Sequence, residues 1–117
     1  MLPNRIRMSK KATSKFAFIK GKTGLTPNIL ARLAIMLAIN EGSNLVNASV
    51  SDQDGQELSQ SVLFGEHALF YDLLINQYIH DYELFDYSTN DVIVRMIEIG
   101  AFRMGHIRSL VDIETLY

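Results

Sequence analysis

"NRIRMSKKATSKFAFIKGKTGLTPNILARLAIMLA", residues 4–38, decides the fold. Its first six residues alternate, with Asn4, Ile6 and Met8 on one side and Arg5, Arg7 and Ser9 on the other. A period of two is a strand. Ser9 then suits an N-cap, and "KKATSKFAFIKGK" reads as a helix. Ala12, Phe16 and Ile19 fall at i, i+4 and i+7 and make its apolar face, while Lys11, Lys15 and Lys22 run along another side. Gly21 and Gly24 can end this helix by adopting positive φ. Thr26 as N-cap with Pro27 at the first helical position starts a second helix.

That second helix, "PNILARLAIMLAIN", has no polar face. Ile29, Leu30, Leu33 and Leu37 form one stripe, and Ile35, Met36 and Ile39 lie largely outside it. A helix apolar all round must be buried all round. A short isolated strand likewise needs a partner. Both needs point to a second copy of the chain, with a tetramer favoured over a dimer, and place Pro27–Asn40 in a subunit interface.

Charge is divided sharply along the chain. Residues 1–40 carry Arg5, Arg7, Lys10, Lys11, Lys15, Lys20, Lys22 and Arg32 with no acid, a net +8. Residues 41–117 carry three arginines against all thirteen acids, a net −10, so the whole chain stands at −2. Such a split points to a polyanion partner for the basic third. The alternative is internal, the basic third packing on the acidic remainder.

Composition removes several classes. The 117 residues suit one domain, with a basic segment 1–40 and an acidic helical remainder 41–117. No cysteine is present, which excludes disulfides, thiolate metal sites and a cysteine nucleophile or sulfur carrier on this chain. No apolar run is long enough to span a membrane, and the basic start is not followed by a signal-peptide core, so the cytoplasm is the expected compartment. "GKT" at residues 21–23 matches the end of a phosphate-binding P-loop, but that motif needs a glycine where Phe16 stands, after a strand.

Strand, basic helix, short turn and apolar helix is the order of a ribbon-helix-helix unit. There, strands from two chains pair, and their outward side chains enter the DNA major groove. Arg5 and Arg7 would be those side chains. The start of the second helix at Thr26, Pro27 and Asn28 would offer backbone N–H groups to a phosphate. An operator-reading regulator is thus the alternative function, and an adaptor that docks an acidic protein is a third.

The stretch also resembles a narrower family. "RIRMSKKA" and "KGKTGLTPNILAR", with their spacing over residues 4–34, resemble the opening of the DNA sulfur modification protein DndE family. The resemblance implies a role in bacterial DNA phosphorothioation, in which sulfur replaces a non-bridging phosphate oxygen. It implies a small DNA-binding accessory without catalysis or cofactor, whose favoured ligand is nicked duplex and whose partners are the other proteins of that pathway. The expected DNA-binding residues are Arg5, Arg7, Lys10, Lys11, Lys15, Lys20, Lys22, Thr26 and Asn28.

The remainder is plainer. "NEGSNLVNASVSDQDGQELSQS" reads as a loop with a short hairpin, with Asp52 and Asp54 as turn formers. "EHALFYDLLINQYIHDYEL" reads as a helix whose apolar stripe is Leu69, Phe70, Leu73 and Leu74. "STNDVIVRMIEIGAFRMGHIRSL" reads as the last helix, opened by a Ser88–Asp91 capping box. The expected fold is therefore mostly α, about four helices with a short N-terminal strand. His67, His80 and His106 have no metal-ligand spacing. Tyr71, Tyr78, Tyr82 and Tyr87 sit among acids and suit packing better than base stacking. Arg95, Arg103 and Arg108 suit pairing with acids.

Overall fold

A computed structural model describes residues 2–42 and 50–106 of the chain. Its elements run β1 (Arg5–Arg7), α1 (Lys10–Thr23), α2 (Pro27–Glu41), β2 (Glu57–Ser59), α3 (Gln60–Phe64), α4 (Ala68–Asp81) and α5 (Thr89–Arg103), with single 3-10 turns after α3 and after α5. Among the described residues the architecture is mostly α, four helices of 14 or 15 residues and the one-turn α3 around a single apolar core.

The local signals for starting a helix act where they stand in the sequence. The Ser9 hydroxyl accepts from the Ala12 N–H at 3.0 Å and so caps α1. The Ser88 hydroxyl accepts from the Asp91 N–H at 3.1 Å and caps α5. Pro27 opens α2, where its missing N–H costs nothing. Gly24, at φ 79°, ends α1 and donates its N–H to the Lys20 carbonyl at 2.8 Å. Gly21 does not share that role, because α1 continues through it to Thr23.

β1 finds its partner inside the chain, which corrects the expectation of a strand from a second copy. It pairs antiparallel with β2, with Arg5 opposite Ser59, Ile6 opposite Leu58 and Arg7 opposite Glu57. Ile6 and Leu58 turn into the core, and Arg5 and Arg7 turn outward. The acidic segment expected to form its own hairpin thus completes a sheet with residues some fifty positions earlier.

α2 is the central helix, and its own chain buries it. Leu30, Ala31, Ala34, Ile35, Leu37 and Ala38 are buried against neighbours that include α5, α1, α3 and α4. α5 approaches most closely: a Cβ on Gly100 would overlap the Cα, Cβ and carbonyl oxygen of Ala34. Two small residues facing each other let the helix backbones nearly touch. The second subunit invoked to cover Ile35 is not needed for that purpose.

α4 turns the other way from expectation. Its core face is Tyr71, Ile75 and Tyr78, whereas Leu69, Phe70 and Leu73 are 73%, 52% and 63% exposed. α5 ends at Arg103, and Arg108 together with the residues after His106 lies outside the described residues.

Candidate nucleic-acid interface

α1 presents one long charged face. Its buried side, Ala12, Phe16 and Ile19, fixes the rotation of the helix. Lys11, Lys15, Phe18 and Lys22 follow one another at helical spacing (i, i+4, i+7, i+11) and lie on another side. Lys20 is exposed on the other flank of the buried side, away from this stripe, and Lys20 and Lys22 sit in the last turn, where the helix dipole favours cations. Among the described residues no acid lies within ion-pair distance of Lys11, Lys15, Lys20 or Lys22.

Two aromatic rings interrupt this face. Phe18 is 48% exposed, with the Lys22 ammonium 5.7 Å from its centroid. Phe102, from the end of α5, is 70% exposed, with the Lys15 ammonium 5.5 Å from its centroid. Between α1 and α5 lies a cavity of about 280 Å³ bounded by Lys11, Lys15, Phe102, Arg103 and Glu98. A smaller hollow of about 190 Å³ adjoins it, at Lys15, Phe18 and Gly105. Neither phenylalanine is among the residues that charge and motif picked out. Spacing could have flagged Phe18, which falls on the lysine stripe rather than on the Ala12–Phe16–Ile19 stripe. Phe102 carries no such local signal.

The other expected contacts divide differently. Arg5 Nη1 lies 3.1 Å and Arg7 Nη2 3.4 Å from the same Glu57 carboxylate, and Arg7 also donates to the Gly55 carbonyl at 3.2 Å. The Lys10 N–H donates to Asp52 Oδ1 at 2.9 Å. The Asp54 N–H bond and this Lys10 bond hold the Asp52 carboxyl below its ordinary range. Glu57 therefore neutralises part of the basic segment at β1, and Asp52 accepts a backbone N–H at the start of α1. Self-neutralisation accounts for Arg5 and Arg7, whereas Lys10 engages Asp52 through its backbone N–H and, among the described residues, no lysine of α1 makes an ion pair.

The start of α2 follows Lys22 by one short turn. Thr26 and Asn28 carry no charge, and the first turn of α2 has no acid. The Thr26 side chain makes no cap bond; its hydroxyl donates instead to Asn28 Oδ1. Asn28 Nδ2 donates to the Val62 carbonyl at 3.4 Å. The helix thus keeps the positive end of its dipole without a side-chain oxygen from Thr26 to satisfy it.

The remaining polar residues have structural roles. Tyr71 and Tyr78 are buried in the core, and Tyr82 packs on Tyr78 with centroids 4.5 Å apart. Arg103 Nε donates to Glu41 at 2.9 Å, and the Arg95 guanidinium lies 4.9 Å from the Tyr87 ring centroid. Among the described residues no three His, Asp or Glu side chains gather to hold a metal, and no helix is long and apolar enough to cross a membrane.

Comparison with known proteins bears on this arrangement. The family model described as DNA sulphur modification protein DndE matches residues 5–97. The crystal structure of DndE from Escherichia coli B7A, involved in DNA phosphorothioation modification, is 26% identical. It superposes with a TM-score of 0.73, over 89% of this chain and 98% of that one. A DndE mutant structure is 22% identical, with a TM-score of 0.70 over 89% of this chain and 99% of that one, and shows the shared fold. No curated protein sequence matches.

Proposed function

The chain belongs to the DNA sulphur modification protein DndE family, and from that premise we propose that it is a non-catalytic accessory that holds duplex DNA, nicked duplex above all, for the phosphorothioation machinery. The observation that carries this reading is the α1 face. Lys11, Lys15 and Lys22 make no ion pair among the described residues, on a chain whose net charge is −2. A surface that concentrates cations on an acidic protein matches a polyanion and releases counterions when it binds one. Thr26 and Asn28, at the start of α2, extend the face by one further phosphate position. Arg5 and Arg7 contribute less, since Glu57 already engages them, while Lys10, bonded to Asp52 only through its backbone N–H, keeps its ammonium for the same role.

The chemistry of sulfur insertion belongs to partner proteins. With no cysteine, this chain has no thiol on which to carry sulfur. Its own residues bind and position the strand. The working form is a homo-oligomer, a tetramer in preference to a dimer. Support for it comes from the outward apolar residues of α4 and from a second exposed apolar site at Ile29 and Val62.

A salt series tests the reading. Intact, nicked and single-stranded DNA are titrated at several salt concentrations with the unmodified protein and with a combined Lys11→Ala, Lys15→Ala, Lys22→Ala variant. The log–log slope should flatten by up to about 0.9 per lysine removed, alike for all sequences. A folded variant that binds nicked duplex with unchanged affinity and slope would overturn it.

A further inference from the structure

We propose that the cavity between α1 and α5 is a docking site for a short segment of a partner protein, acidic with one apolar anchor, which shares Lys11 and Lys15 with DNA. The sharing rests on the DNA-binding reading of the α1 face and adds to it a second, competing occupant of two of its lysines.

Three features of the cavity set what fits it. Its walls are apolar: Ala12 from α1 and Ile99 and Phe102 from α5 line it, and Phe102 stays 70% exposed with the Lys15 ammonium over its ring. Lys11 and Lys15 bound it, and neither makes an ion pair among the described residues. Arg103, which also bounds it, is held by Glu41 at 2.9 Å. The third feature is Glu98, half-buried, whose carboxylate takes the Ser9 hydroxyl at 2.7 Å on Oε2. A hydroxyl donates one proton, so this carboxylate keeps lone pairs for a further donor.

A polypeptide brings all three complements within a few atoms. An apolar side chain meets the walls, a backbone N–H meets Glu98, and a neighbouring aspartate or glutamate meets the lysines. Duplex DNA brings only an anion. A phosphate drawn inside would leave water for apolar walls and stand beside the Glu98 carboxylate, and both are unfavourable. At about 280 Å³ the cavity lies near the small end of ligand pockets, room for one anchoring side chain. That anchor is what makes an acidic segment specific, because exposed ion pairs alone contribute little. Carboxylates at Lys11 and Lys15 also occupy two cations that phosphates use. The partner's arrival therefore loosens the DNA, and a handover is built into one face.

The test uses the full chain and two fluorescein-labelled peptides, Asp-Glu-Phe-Glu-Asp and Asp-Glu-Ser-Glu-Asp, which differ only in the anchor. By fluorescence anisotropy the unmodified protein should bind the phenylalanine peptide about ten-fold tighter, within what burying one large apolar side chain contributes. Phe102→Ser removes an exposed wall residue. It should abolish that preference and keep duplex affinity and salt slope unchanged. Lys11→Ala with Lys15→Ala should weaken both peptides alike. Saturating phenylalanine peptide should flatten the duplex salt slope of the unmodified protein by up to about 0.9 for each lysine it occupies. Three results overturn the proposal and leave the DNA-binding reading standing: equal binding of the two peptides, a folded Phe102→Ser variant that keeps the preference, or a duplex slope that the peptide leaves unchanged. Loss of self-association by Phe102→Ser in light scattering gives the cavity to a second copy. Displacement of the phenylalanine peptide by deoxyadenosine monophosphate but not by inorganic phosphate gives it to a nucleobase. Either result likewise overturns the proposal. Peptide preference without any DNA binding at low salt upholds the docking site and removes the DNA-binding reading instead.

Discussion

Ser9 and Glu98 are joined across the fold: the serine hydroxyl lies 2.7 Å from Glu98 Oε2 while accepting the Ala12 N–H at 3.0 Å. One buried side chain thus caps α1 and anchors α1 to α5. Ser9→Ala should cost about 2–4 kcal/mol, from the lost cap and from the donor withdrawn from a half-buried carboxylate. Ser9→Thr keeps the hydroxyl and should cost less. Urea denaturation midpoints of the three proteins check the order.

Gly100→Ala inverts a familiar rule. In a helix interior, alanine is better than glycine by about 1 kcal/mol. Here the added methyl meets Ala34, so overpacking should leave a net loss of about 1–3 kcal/mol. Adding Ala34→Gly should recover part of it. A double-mutant cycle on thermal unfolding measures the coupling.

Glu57→Gln should strengthen DNA binding. Arg5 and Arg7 now share that carboxylate at 3.1 and 3.4 Å. Released, they become available to phosphates, and the salt slope should steepen by up to about 0.9 for each new contact. Titration of duplex at two salt concentrations with both proteins reads this directly.

Tyr78 ties stability to alkaline pH. Burial first, then the neighbouring Tyr82, push its phenol up to about 12. The fold therefore favours the neutral ring, and its contribution is present below the unfolded value of about 10 and lost as pH rises through 12. Tyr78→Phe should flatten the fall in stability between pH 10 and 12. At neutral pH the substitution should cost little, because the buried hydroxyl has no hydrogen-bond partner among the described residues. Denaturant midpoints from pH 8 upward test both parts.

Two apolar-to-acid changes should part company. Leu69→Asp with Leu73→Asp places charges on the exposed stripe of α4 and should split the proposed oligomer without unfolding the subunit. Ile35→Asp buries an unpaired charge at a residue already enclosed by its own chain, and should unfold it. Light scattering and circular dichroism separate the outcomes.

What could be read in advance follows from the range of each signal. Ser9, Thr26–Pro27 and Ser88 act on residues two or three positions away, so their helix starts are visible in the sequence. The partner of β1 is not, because residues 57–59 must be brought from across two helices. α4 differs from its apolar pattern for another reason. Its two neighbouring faces share one period, and leucine and phenylalanine outrank tyrosine in apolarity, yet the core took Tyr71 and Tyr78. The burial of α2 hinges on Gly100, whose use as a contact surface depends on the helix it meets. The lysine face was legible from charge alone, whereas its aromatic half came partly from α5, some eighty residues away.

The pairing of β1 with β2 also sets an order of events during synthesis. A ribosome releases β1, α1 and α2 before it makes the strand that secures the first of them. Until Glu57–Ser59 emerges, Arg5 and Arg7 have no Glu57 to hold them and Ile6 has no Leu58 beside it. Closing so long a stretch of chain draws on entropy before any native contact repays it, and non-local pairings of this kind slow folding. The nascent chain passes through an interval in which its positive segment is at its most available, to nucleic acid as much as to its own later half.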